Sequence, residues 1–398
     1  MEPARLRRFA EPSRRVTSNT GEEAVKRLTG KSLLMILSGL LIGVLAAFMV
    51  KWGNPANMGL CIACFLRDVT GALGLHRAEV VQYLRPEIMG IVLGALAAAF
   101  AFREFRSRGG SSPVLRFVLG AFVMIGALVF LGCPIRALLR LAGGDLNGVT
   151  ALAGIIAGAA VGIVFLKKGF NLGRAGKVSH VSGLTMPLIM VGLLILAIIG
   201  PAFIFSSTTG PGSMYAPFGI AIGVGLLVGV LAQRLRMCFV GGWRDLIMVR
   251  DTYLFGGIAA FFVGALIANF ALGNTHWGFA GQPVAHSNHL WNFMSMGLVG
   301  LGATLLGGCP LRQLVLAGEG DADAAATILG LIAGAAIAHN FLVSSSPQGI
   351  GQNSVVAVTI GLVFTAGIGF FMSDMAAGAR RYLWRLTGAA RLPSRVGD

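Results

Sequence analysis

The chain has 398 residues, of which 55% are hydrophobic and only 12% charged. A water-facing domain carries about 25% charged residues, so this composition excludes a soluble globular protein and places most of the chain in a bilayer. The net charge of +16 does not point to nucleic acid, because the Lys and Arg residues lie between apolar stretches, where the positive-inside rule puts them.

Taken in chain order, residues 1–31 hold eight Lys and Arg with Pro, Ser and Glu and no long apolar core. That composition predicts a disordered basic cytoplasmic tail rather than a signal peptide. A bilayer span needs roughly 20 apolar residues. Ten stretches meet or approach that length: 32–50, 87–103, 115–133, 149–167, 184–205, 216–234, 252–272, 290–308, 324–342 and 354–374. The charge-free run 181–233 is too long for one helix, and the polar segment from Ser206 to Gly212 breaks it. The runs 252–311 and 324–373 are broken in the same way near 273–287 and 344–354. Residues 378–398 form a second basic tail. Glycine is abundant, at 58 residues, and recurs at four-residue spacing in Gly154, Gly158 and Gly162 and again in Gly330 and Gly334. In a membrane this spacing predicts close helix packing.

Orientation follows from the loops. With the N-terminus in the cytoplasm, the inside loops carry Arg103, Arg106, Arg108 and Arg116, then Lys167, Lys168, Arg174 and Lys177, then Arg234, Arg236, Arg244 and Arg250. The outside loops 206–216, 273–289 and 343–352 carry no Lys or Arg. Both termini are therefore expected inside. Two outside segments break the rule: 51–86, with Lys51, Arg67, Arg77 and Arg85, and 133–148, with Arg136 and Arg140.

Those exceptions fall on an internal repeat. Residues 131–165 align with 307–341 without gaps, with 14 of 35 positions identical, among them Gly132-Cys133-Pro134 with Arg136 against Gly308-Cys309-Pro310 with Arg312. Upstream, Cys61 with Arg67-Asp68 matches Cys238 with Arg244-Asp245. The two cysteine anchors lie 72 residues apart in the first half and 71 in the second. The repeats are expected over 32–205 and 206–377. Each copy holds five spans, so the second crosses the membrane in the opposite sense. Inverted repeats of this kind characterise many transporters, with sites near the midplane at the repeat interface. The expected fold is therefore an all-α polytopic membrane protein of about ten transmembrane helices, arranged as two inverted five-helix repeats with short re-entrant motif helices. Arg67 and Arg136 would then be drawn into the protein.

The motif chemistry supports a site. Proline fits the first turn of a helix, which puts Cys133 and Cys309 at the cap. The N–H groups of a helix N-terminus favour a thiolate or a bound anion. Arg136 and Arg312 lie about one turn further on. A Gly-Pro kink with an inert buried cysteine is the structural alternative, and duplication of the whole motif favours function. Arg67-Asp68 and Arg244-Asp245 read either as internal ion pairs that hold re-entrant loops or as direct substrate contacts. The positive excess along such a path selects anions. Cys61 and Cys64 form a single Cys-x-x-Cys without the second ligand pair of a zinc site; it reads as a packed pair, with a redox dithiol as the weaker option. His276, His286 and His289 lie in an outer loop without an acidic neighbour and read as solvated, with no metal site expected. His339 differs from its repeat counterpart Ile163. No nucleotide motif is present, so no cofactor is expected.

Gly-Cys-Pro-x-Arg occurring twice, together with Arg236-Met237-Cys238-Phe239 and Arg244-Asp245, resembles the YeeE/YedE family of membrane proteins, over most of the chain after the N-terminal tail. The run from Gly308 to Asp321 looks most like the YedE branch associated with selenium metabolism. The resemblance implies inner-membrane uptake of a small sulfur- or selenium-containing anion such as thiosulfate, passed along a line of cysteines. It carries over onto Cys133 and Cys309, and onto Cys61 and Cys238, with Arg136 and Arg312 supplying positive field. It also implies a small soluble sulfur-carrier protein as a cytoplasmic partner. The expected activity is transport, not enzymatic conversion. Two other readings stay open: a membrane sulfur or selenium transferase that holds a persulfide on cysteine, and a structural membrane subunit.

Overall fold

The computed structural model describes residues 19–375. Fourteen α-helices follow one another among the described residues: α1 (Asn19–Lys51), α2 (Ile62–Ala72), α3 (Pro86–Ala101), α4 (Pro113–Phe130), α5 (Pro134–Ala142), α6 (Asn147–Lys167), α7 (His180–Ile199), α8 (Phe218–Leu235), α9 (Gly241–Val249), α10 (Tyr253–Ala271), α11 (His289–Leu305), α12 (Pro310–Gly318), α13 (Ala322–Asn340) and α14 (Gln352–Phe371). The only strands among the described residues are two-residue pieces, Arg108–Gly109 and Gly176–Lys177, paired antiparallel. The chain is an all-α polytopic membrane protein.

Nine helical segments among the described residues are long and apolar enough to cross a membrane. Two of them contain a break. α4 runs into α5 and α11 into α12, so each pair reads as one apolar segment of 30 residues. The tenth expected span, 87–103, is α3, which is apolar but only 16 residues long. At 1.5 Å per residue it measures about 24 Å, short of a hydrocarbon core of about 30 Å.

The boundary expected at residue 31 falls inside a helix, because α1 begins at Asn19. Extending an existing helix costs far less than starting one, so the apolar stretch propagates backward through 19–31. The rest of that tail, residues 1–18, and the expected C-terminal tail, 378–398, lie outside the described residues.

The packing repeats itself between the halves. α1 lies along α10, and α8 lies along α3; α6 lies along α11, and α13 lies along α4. α4 and α11 also pack on each other. The short helices follow the same rule: α5 packs on α6 and α10, and α12 on α13 and α3. Close approach rests on the glycine spacing seen in the sequence. A Cβ at Gly154 would sit 2.2 Å from the Phe293 carbonyl oxygen, and one at Gly158 would sit 2.0 Å from that of Gly297. In the twin pair, a Cβ at Gly330 would sit 2.1 Å from the Phe117 carbonyl oxygen and one at Gly334 would sit 2.5 Å from that of Ala121. Any side chain there forces the backbones apart and loses the dispersion contacts that hold helices together in lipid.

Two loops tie the halves together, each closing the end of a short helix from the other half. The segment after α10 bonds through His276 N–H to the Gly143 carbonyl at 2.8 Å and through Gly278 N–H to the Gly144 carbonyl at 3.1 Å, beyond the end of α5. Leu146 N–H returns a bond to the Gly278 carbonyl at 3.0 Å. The segment after α3 does the same for α12. Arg106 N–H reaches the Glu319 carbonyl at 3.0 Å and Arg108 N–H the Gly320 carbonyl at 3.2 Å. Gly144 and Gly320, with φ of 93° and 96°, make the matching left-handed turns.

Gly158→Val tests this packing. The variant is expected to lose about 1–3 kcal/mol through overpacking, read as a lower midpoint of thermal unfolding in detergent. An unchanged midpoint would mean that α6 and α11 separate at no cost.

Candidate functional site

The two Cys-Pro motifs are built alike. α4 ends at Leu131 in the left-handed conformation, with φ of 66°, and α11 ends just before Gly307, with φ of 79°. The chain turns, and a new helix starts with proline at its first position, capped by an extended Cys133 or Cys309. This bears out the helix start read from the motif. The glycine before each cysteine has its own reason. A Cβ at Gly132 would meet the Arg136 Cδ at 2.7 Å, and one at Gly308 the Arg312 Cγ at 2.8 Å. The missing side chain leaves room for the arginine stem to fold back over the helix start. Gly-Cys-Pro-x-Arg is thus one steric unit.

All five cysteines are free and buried. In the first half, Cys61 caps α2 and accepts from the Cys64 N–H at 3.5 Å. Its sulfur lies 2.9 Å from the Cys64 sulfur and 3.8 Å from the Cys133 sulfur. In the second half, the Cys238 sulfur accepts from the N–H groups of Gly241 at 3.1 Å and Cys309 at 3.3 Å. The structure therefore brings together Cys61 with Cys133, and Cys238 with Cys309. Each pair belongs to one half, and among the described residues no hydrogen bond joins one pair to the other.

The two motif arginines differ. Arg136 is fully buried. It donates to the carbonyls of Asn57 at 3.2 Å and Val284 at 3.0 Å, to the Leu131 carbonyl, and to the Cys64 sulfur at 3.4 Å. Among the described residues it has no carboxylate partner. Arg312 instead pairs with Glu319 at 3.1 Å. Glu319 also gathers Arg236 at 3.3 Å and Arg108 at 3.5 Å. The symmetric pair of positive charges expected from the repeat is thus uneven, because Glu319 replaces the Gly143 of the first copy.

Arg67-Asp68 and Arg244-Asp245 both form ion pairs, at 2.7 and 2.8 Å. The first is buried and also takes Arg85 at 2.8 Å. The second is about a quarter exposed (25% and 23%). Four buried partners escaped the sequence reading: Arg85, Arg140 and Asp145, which pair at 2.5 Å, and Glu319. Arg140 also stands over the Phe130 ring, 4.2 Å from its centroid. Arg85 and Arg140 did carry a signal, since both lie in the outer segments that break the positive-inside rule. Glu319 carried none, because it lies where the repeat is not identical.

The outer-loop histidines are corrected in one case. His276 and His289 are exposed, but His286 is buried, with Nε2 2.8 Å from the Val129 carbonyl. The loop folds back between α4 and α5 instead of hanging in solvent. On the opposite end, Glu104 takes the Gln233 amide at 2.8 Å, Arg234 at 2.9 Å and Arg236 at 3.2 Å. The Gln233 hydrogen bond, and then Arg234, hold its carboxyl below the usual range.

Arg140→Met is expected to destabilise the protein by about 3–5 kcal/mol, because it strands Asp145 in a buried site. The double variant Arg140→Met with Asp145→Leu is expected to recover part of that loss. Equal midpoints for single and double variants would show that the pair is not coupled.

A family model described as sulphur transport matches residues 4–161 and 234–396. The thiosulfate transporter TsuA of Spirochaeta thermophila is 34% identical over 97 residues, or 24% of this chain. The matched segment spans 29% of that protein's own length.

Proposed function

From a chain that belongs to the YeeE/YedE sulphur-transport family, we propose import of a small sulfur- or selenium-containing anion, thiosulfate or a selenium compound, through the cytoplasmic membrane. Cys61, Cys133, Cys238 and Cys309 form the path, and the reading is of a transporter without covalent catalysis. Burial of Arg136 without a carboxylate carries the proposal. A buried cation with no acidic partner is costly, and an anion held beside it supplies the missing charge. The thiols of Cys61 and Cys133 give S–H donors beside that cation. Arg312, already matched by Glu319, holds an arriving anion less firmly, which favours release on that side. Arg67-Asp68 and Arg244-Asp245 brace the short helices. Similarity of part of the chain to the thiosulfate transporter TsuA supports the same substrate class.

We infer further that the two halves, 32–205 and 206–377, are inverted copies. The support is the exchanged packing of α1 on α10 with α8 on α3, and of α6 on α11 with α13 on α4. Both termini lie in the cytoplasm, where the arginine-rich segment after α3 would meet a soluble sulfur carrier.

Proteoliposomes test this directly. Radiolabelled thiosulfate and selenite are offered separately to the native chain, to Cys133→Ala, to Cys309→Ala and to Arg136→Gln. Uptake of one anion by the native chain, reduced to background in all three variants, is the expected result. Undiminished uptake in Cys133→Ala and in Cys309→Ala would overturn the cysteine path.

A further inference from the structure

The Cys-x-x-Cys of the first half has no counterpart in the second. The position equivalent to Cys64 is Gly241, and a Cβ there would crowd Cys238, lying 3.0 Å from its Cβ and 3.1 Å from its sulfur. Both halves give the capping sulfur a backbone N–H, from Cys64 at 3.5 Å and from Gly241 at 3.1 Å, and only the first adds a thiol at that position. Position 64 is therefore not demanded by the repeated architecture. Its sulfur is fully buried, lies 2.9 Å from Cys61 and accepts from Arg136 at 3.4 Å.

We propose that Cys61 and Cys64 are a reversible oxidation site for a small hydroperoxide, and that the disulfide they form shuts the path. The effect on transport rests on the function proposed above; the disulfide itself does not. The two residues stand at the cap and third position of α2, so their side chains share one helix start. Closing from 2.9 Å to a disulfide length of about 2.05 Å needs only side-chain rotation and a small backbone adjustment.

The chemistry balances. Cys64, whose developing negative charge Arg136 faces, attacks the terminal oxygen of the hydroperoxide. The O–O bond breaks, the alcohol or water leaves with the thiol proton, and Cys64 becomes a sulfenic acid. Cys61 then attacks that sulfur, the S–O bond breaks, and water leaves with the Cys61 proton. Two thiols give two electrons to one peroxide. Cys133 lies farther from Cys61, at 3.8 Å, and keeps its thiol. The consequence is loss of the Cys61 donor, and a small thiol or dithiol reductant restores it.

The experiment uses the full chain in proteoliposomes exposed to hydrogen peroxide. Peptide mass spectrometry under non-reducing conditions reads the bond, and radiolabelled thiosulfate uptake reads its effect. The expected result is loss of two hydrogen masses on the segment holding Cys61 and Cys64, with loss of uptake, both reversed by dithiothreitol. Uptake by Cys64→Ser is expected to resist the same treatment. Alkylation of both thiols after peroxide, or a Cys61–Cys133 link instead, overturns the assignment. A Cys61–Cys64 bond with unchanged uptake overturns the shut-off. Native chain that takes up neither thiosulfate nor selenite before oxidation counts against the transport reading, while the mass result still decides the disulfide.

Discussion

Backbone polarity in lipid governs this structure. A helix that stops inside an apolar slab leaves N–H and C=O groups that water cannot reach, and each unsatisfied group costs several kcal/mol. The chain breaks helices at Leu131 and Gly307 and must answer every group it exposes. Proline at the first position removes one donor. The left-handed residues close the preceding helices on themselves. The loops after α3 and α10 answer the Glu319 and Gly320 carbonyls just beyond α12 and the Gly143 and Gly144 carbonyls just beyond α5. Only with these answers can a cysteine and an arginine stand at a helix start in the interior.

The same constraint sorts the buried charges. Asp68 collects Arg67 and Arg85, Asp145 holds Arg140, and Glu319 holds Arg312 together with Arg108 and Arg236. Arg136 alone among these motif residues is met by carbonyls and a thiol instead of a carboxylate. Carbonyl dipoles can hold a guanidinium in place, but they do not cancel its charge, so the field there extends toward the neighbouring sulfurs.

Much of this was legible in the residues. Cys-Pro at 133–134 and 309–310 announced two helix starts, because proline's missing N–H is free of cost only there. Gly144 and Gly320 make the left-handed turns that follow these helices. The spacing of Gly154, Gly158, Gly330 and Gly334 announced helix contact, though not which helix would be met. What stayed hidden depended on distance in space. His286 looks like any loop histidine until the loop is seen to fold onto Val129. Glu319 falls at a glycine of the first copy, so comparing the copies could not flag it as a charge partner. The extension of α1 back to Asn19 was masked by a composition that reads as tail.

The crossed loops have a consequence for the order in which the molecule can be made. The N-terminal half contains α5 but not the segment that ties off its end, which spans His276 to Gly278. During synthesis the turn after the first motif helix therefore waits, with the Gly143 and Gly144 carbonyls unanswered, until more than a hundred further residues have left the ribosome. The second motif helix meets a loop already in place. Maturation of the two sites is thus sequential, even though their architecture is shared.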